Sequence, residues 1–208
     1  MGTNEKVGHY IETCRQMGIP ILPPDVNDSH NSFSVDGDAI RFGLAAVKNV
    51  GENAIQNMVC ARDKEGPFAS LVDLCTRVDM RLVNKRVIES LIKCGAFDSF
   101  GAKRSQLLAV LERAVDMAAV SQRDKASGQL GLFGDETLSE AAEVTLPEMP
   151  EIPKDQLLVM EKEITGFYVT GHPLDAYRDK MNNVTPLGEL VSGNYADGKI
   201  VQVAGLIT

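Results

Sequence analysis

The chain has 208 residues, 44% of them hydrophobic and 24% charged, with 21 Lys/Arg against 29 Asp/Glu and a formal net charge of -8. That is enough apolar material for one or two packed cores, and too little bias for a fibrous or wholly disordered chain. No run approaches the roughly eighteen apolar residues of a membrane span, and the opening MGTNEKVGHY lacks the apolar stretch of a secretory signal, so the chain reads as cytoplasmic with no membrane partner.

In chain order, VGHYIETCRQMG predicts a short amphipathic helix, with Tyr10, Ile11, Cys14 and Met17 at spacings of three and four, stopped by Gly18 and Pro20. The paired prolines of ILPPDVNDS forbid helix and predict an extended connector. SFSVDGDAIRFGL then alternates on both sides of Asp36-Gly37, the pattern of a hairpin. From residue 43 the periodicity is helical: GLAAVKNVGENAIQNMVCARDKEG, SLVDLCTRV with Ser70 as N-cap and Asp73 three residues on, VNKRVIESLIKCG, and AKRSQLLAVLERAVDMAAV, which keeps Leu107, Leu111, Val115 and Ala118 on one face. Residues 121–154 carry seven acidic groups, three prolines and few large apolar side chains, the composition of a mobile linker. At the end, KIVQVAGLIT alternates like a strand.

The charge is unevenly divided. Residues 38–114 hold twelve Lys/Arg against nine Asp/Glu, whereas residues 115–198 hold six against fifteen. A local excess of +3 does not by itself indicate nucleic acid, since many solvated faces carry as much.

Two glycine turns carry more information. In AAVKNVGENAIQNMV one helix is expected to end at Lys48-Asn49, the chain to turn through Val50-Gly51, and a second helix to begin with Glu52, Asn53 and Ala54. Such a turn exposes backbone N–H groups at a helix N-terminus, where unpaired donors and the helix dipole favour a phosphate oxygen, and Lys48 adds charge. NKRVIESLIKCGAFDSFGAKRSQLLAVLE repeats the arrangement, turning at Gly95 and opening its last helix with Lys103, Arg104 and Ser105. The plain alternatives are a packing unit of two helices for the first turn, and a solvated first helical turn for Lys103 and Arg104.

No catalytic or metal-binding set emerges. Asp25 with Asp28 and Asp36 with Asp38 lie in a proline-rich connector and a hairpin turn, where acidic residues are ordinary. His172-Pro173 reads as a structural turn. The four cysteines (Cys14, Cys60, Cys75, Cys94) have no C-x-x-C spacing, and His9, His30 and His172 have no ligand-like spacing to them, so free thiols are expected.

Taken together, YIETCRQMGIPILPPDVNDS, FSVDGDAIRFGLAAVKNVGENAI, GPFASLVDLCTRVDMRLVNKRVIESLIKCGAFDSFG and EITGFYVTGHPLD resemble the bacterial replicative DNA polymerase III alpha family over nearly the whole chain. The family usually has glycine at the position of Asn49, and asparagine tolerates the same left-handed conformation. The resemblance implies a mainly α fragment of a larger DNA-directed DNA polymerase, with a small β-hairpin, a tandem helix-hairpin-helix module and a terminal strand starting an OB domain. It implies these boundaries: 1–37 the end of the fingers and a connector, 38–120 the hairpin module, 121–154 a flexible linker with a clamp-binding peptide, 155–198 a helix and connector, and 199–208 the first OB strand. The palm, where the parent enzyme is expected to use Mg²⁺, has no counterpart here, so the fragment should be inactive alone and need no cofactor.

The same resemblance implies three partners: duplex DNA held without sequence preference, the sliding clamp, and other subunits of the replicative holoenzyme. DNA contacts are expected from Lys48, Asn49, Val50, Gly51, Asn53, Gly95, Lys103, Arg104 and Ser105. Clamp contacts are expected from Gln129, Leu130, Leu132 and Phe133, a short peptide in an otherwise polar run; the alternative is that Leu132 and Phe133 tuck back onto the preceding helix. A second functional class remains open, a stand-alone helix-hairpin-helix module of a repair protein.

Overall fold

The computed structural model describes residues 3–126, 144–181, 184–185, 187–192 and 198–205. It divides into two compact units, Met1–Thr170 and Gly171–Thr208. In the first, α1 (Thr3–Gln16) ends where Gly18 takes a left-handed φ of 73°, and β1 (Ile21–Leu22) follows. The expected hairpin forms as β2 (Ser34–Asp36) and β3 (Ala39–Arg41), with Val35 opposite Ile40. Sequence reasoning did not foresee that β1 adds to it in parallel, Ile21 beside Ile40, giving the strand order β1-β3-β2. After β3 the chain passes so close to Ser32 and Phe33 that a Cβ on Gly43 would meet their backbone, so only glycine fits there.

The helical part follows as α2 (Glu52–Glu65), α3 (Leu71–Arg77), α4 (Lys85–Lys93), α5 (Arg104–Ala126) and α6 (Lys154–Thr165). Their apolar faces share one core that includes Val47, Val50, Ile55, Met58, Leu74, Ile88, Leu91, Phe97, Leu107, Leu111 and Ala118. Two N-caps are built from local sequence: Ser70 Oγ accepts from Asp73 N–H at 3.1 Å, and Asn84 Oδ1 accepts from Arg86 and Val87 N–H. The C-terminal end of α2 is closed by Arg77, which donates to Ala61 O and Gly66 O. A smaller cluster of Ile11, Phe42 and Val169 ties α1 to the sheet and to the chain after α6.

Three expectations change. The helix expected before Lys48 is only a single 3-10 turn, Leu44–Ala46. Buried Leu44 and Val47 are drawn to the core at a spacing that one tight turn satisfies. Next, α5 runs through Ala126, past the expected module end at 120. The stretch expected to be mobile is in part fixed: residues 144–153, non-helical and within 121–154, are bonded to the start of α5, and Val144 packs on the core. In the second unit, the 3-10 segment Pro173–Met181 is followed by α7 (Leu187–Val191). Residues 199–205 form no ladder among the described residues; Gln202 O accepts from Thr185 N–H at 2.8 Å.

Candidate nucleic-acid interface

The first hairpin is built around Asn49, whose φ of 68° makes it the one non-glycine residue with positive φ among the described residues. Its short amide side chain tolerates that conformation, and Asn49 Nδ2 donates to Ser90 Oγ of α4 at 3.0 Å. Val50 is buried in the core, while Lys48 and Asn49 on one side and Gly51, Glu52 and Asn53 on the other are exposed. Lys48 N–H is committed to Ile164 O at 2.9 Å, which leaves the side chain as the part of Lys48 available to a ligand.

Gly51 is the N-cap of α2 and brings no capping side chain. Among the described residues nothing accepts from the N–H groups of Gly51, Glu52 or Asn53, so an outward-facing fan of donors lies beside the Lys48 segment. The glycine is not needed for strain relief. Its φ of -79° and ψ of 157° are extended, and an added Cβ would meet nothing within 4 Å. The absence of a side chain keeps the donors uncovered, and the left-handed position that the turn requires is Asn49.

The second hairpin differs. Gly95 has φ 85°, donates its N–H to Ile92 O, and offers no room for a Cβ, which would collide with the Arg104 guanidinium and the Asp98 carboxylate. Arg104 is not a solvated first-turn cation, since only 5% of it is exposed. It bonds Asp98 through Nε at 2.9 Å and Nη2 at 2.6 Å, and Glu161 of α6 through Nη1 at 3.0 Å. Burial works against its charge, but the hydrogen bonds and charge of Asp98, with Glu161, outweigh it and raise the pKa. Glu161 is wholly buried and is also bonded by Thr170 N–H and Oγ1. Cys94 lies in the same region with its thiol pushed up to about 12 by burial, an inert packing group.

The start of α5 is occupied as well. Glu151 accepts from Arg104 N–H at 2.8 Å and Ser105 N–H at 3.1 Å, Ser105 Oγ donates to Pro150 O, Lys103 Nζ to Met149 O and Gln106 Nε2 to Pro147 O. Lys103 N–H donates to Gln106 Oε1, one half of a capping box whose other half, a side-chain oxygen at the cap, a lysine cannot supply. Glu151 supplies it from a segment distant in sequence. Burial pushes the Glu151 carboxyl up, and the N–H donors of Ile152, Ser105 and Arg104 more than reverse this, holding it below the ordinary carboxylate range. Gly95, Arg104 and Ser105 are therefore not free to meet a phosphate in this conformation, and Lys103 is held by its ammonium. Sequence reasoning missed Glu151; the available signal was a helix start with no capping oxygen and an acid flanked by Pro150 and Pro153.

The acidic pairs hold no metal-like arrangement. Asp25 Oδ1 accepts from Asn27 and Asp28 N–H in a turn, and Asp28 and Asp36 both pair with Arg41. No group of three or more possible ligands converges among the described residues. His172 N–H bonds Asp175 Oδ2 in a turn. Gln129, Leu130, Leu132 and Phe133 lie outside the described residues. None of the described helices is long and apolar enough to cross a membrane.

Two helical hairpins joined through one core, the first with an uncapped helix start, define a helix-hairpin-helix protein, and the sequence model of the helix-hairpin-helix motif matches residues 18–107. The comparison with curated proteins is more specific. The DNA polymerase III subunit alpha of Saccharopolyspora erythraea is 41% identical over 218 residues, covering 98% of this chain and 18% of that protein. That of Vibrio cholerae is 38% identical over 209 residues, with 100% and 18% coverage, and that of Thermus aquaticus 45% identical over 174 residues, with 84% and 14%. The chain belongs to the DNA polymerase III alpha family, of whose members it spans less than one fifth of the length.

Proposed function

We propose that this chain is a non-catalytic, duplex-gripping region of a replicative DNA polymerase that also tethers the enzyme to its sliding clamp. The observation that carries the first half is the uncapped start of α2: three exposed residues with uncommitted N–H groups beside the Lys48 segment, after a turn locked by Asn49. Donors so arranged hold a phosphate oxygen by hydrogen bonds and by the helix dipole, and carry no information about the base, so the grip is independent of sequence. The grip therefore rests on Lys48 and the segment Asn49 to Asn53. Nucleotide addition falls to the palm of the parent enzyme and its Mg²⁺; gripping and tethering call for no cofactor. The setting is cytoplasmic, with the other holoenzyme subunits as further partners. Relatives aligned over nearly the whole chain favour this reading over a stand-alone repair module.

The test is a carboxylate placed at the open cap. Gly51→Asp finds space around its Cβ, brings its own carboxylate as acceptor for the Asn53 N–H and repels phosphate. Fluorescence anisotropy with a labelled duplex should show a roughly tenfold or greater loss of affinity, about 1.4 kcal/mol, with the melting temperature unchanged or raised. Equal binding by Gly51→Asp and the parent chain would overturn the assignment. The clamp half rests on Gln129, Leu130, Leu132 and Phe133, a peptide of one amide and three apolar anchors suited to an apolar pocket with a polar rim.

A further inference from the structure

The two hairpins present the same element, a helix start, in opposite states. The N-terminus of α2 is open, whereas that of α5 is filled by a carboxylate from the chain's own segment 147–151. We propose that Glu151 is a built-in competitor for phosphate, so that the second hairpin is closed in the free chain and opens onto a duplex only when segment 147–151 is displaced. This rests on the reading of the hairpins as a duplex grip.

Glu151 offers an anionic oxygen pair to two consecutive N–H groups of the first turn of a long helix, the arrangement that a phosphate oxygen would otherwise meet. The rest of the segment is held by polar bonds from Lys103, Ser105 and Gln106 to main-chain carbonyls, and residues 145–148 are exposed. Releasing it thus uncovers little apolar surface, and each of these donors regains a partner in water or on the duplex backbone. What must not move is secured separately, because Arg104 is fixed by Asp98 and by Glu161 of α6. The helix start would keep its position when the segment leaves. The depressed carboxyl of Glu151 reflects the same donors and gives a reporter of the closed state.

The experiment measures duplex affinity of the full chain as a function of salt for the parent, Glu151→Gln and Glu148→Gln. Glu148 is exposed on the same segment, so its replacement removes an equal charge without touching the start of α5. Glu151→Gln is expected to bind about three- to tenfold more tightly, with a salt slope steeper by up to about 0.9 for one added phosphate, while Glu148→Gln stays within about twofold of the parent. In the parent chain, the side-chain carboxyl ¹³C resonance of Glu151 should return to ordinary carboxylate titration when duplex is added.

If Glu151→Gln binds no better than Glu148→Gln and the Glu151 resonance does not respond to duplex, segment 147–151 is a permanent cap and the proposal is overturned, while the grip at α2 stands. Should the parent and both variants fail to bind any duplex, the grip itself is wrong and the competitor falls with it. A parent that binds poorly beside a Glu151→Gln variant that binds well supports the proposal most strongly. Thermal melts of all three, expected within a few degrees because Arg104 and Glu161 are untouched, guard against reading partial unfolding as opening.

Discussion

Asn49 shows what a single residue does for the first hairpin. Holding φ at 68° costs a residue with an ordinary Cβ about 1–2 kcal/mol, and asparagine offsets this with local polarity and a hydrogen bond to Ser90 that joins the turn to α4. Asn49→Ala should therefore destabilise the chain by about 2 kcal/mol, adding the strain to the lost bond. Asn49→Gly removes the strain with the bond and should cost about 1 kcal/mol or less. Urea unfolding of the three proteins decides this, and equal losses for Ala and Gly would show that the bond to Ser90 matters and the conformation does not. The sequence made this position legible, since asparagine stands where the related family usually has glycine. What the sequence does not tell is the part played by Gly51, because a glycine at a turn looks the same whether it supplies a positive φ or merely an uncovered N–H.

At the scale of elements, what was legible depended on whether the partner lies close in sequence. The Asp36-Gly37 hairpin, the Ser70 cap with Asp73 and the apolar face of α5 follow local rules, and all three are present. The parallel addition of β1, the Glu151 cap and the Arg104–Glu161 pair join residues far apart in the chain, and no local pattern announces them. That last pair fastens α6 to the second hairpin. Without Glu161, Asp98 still balances the Arg104 charge, but Arg104 Nη1 loses its shortest bond and Thr170 N–H and Oγ1 lose their acceptor in a buried site. Glu161→Ala should then cost about 2–3 kcal/mol in chemical denaturation. A loss below about 1 kcal/mol would mean that water reaches Arg104 and that α6 is not fastened by this pair. The double variant Arg104→Met with Glu161→Leu, which removes both charges together, should recover a large part of the loss.

For the whole molecule, the proposed function divides the labour between a folded grip and a clamp peptide that lies outside the described residues. A linear clamp peptide carries its anchors locally and needs no fold around it, so residues 127–136 alone should bind a bacterial sliding clamp. Its affinity should be on the order of micromolar, because ordering the segment consumes part of the contact energy. In the full chain, Phe133→Ala should cost about 2 kcal/mol or more, roughly a thirtyfold loss, as an anchor leaves its pocket. Gln129→Ala should cost less, about 1 kcal/mol for a hydrogen bond at the rim. Leu107, Leu111, Ala114 and Ala118 of α5 are buried, and α5 packs on α3 and α4. If Phe133 serves the clamp, the melting temperature should stay where it is in both variants. Calorimetric titration of clamp into the parent chain and into Phe133→Ala, with thermal melts of each, separates the two accounts of this side chain. Unchanged clamp binding with an earlier melt would make Phe133 a core residue and remove the tether from the function of this chain.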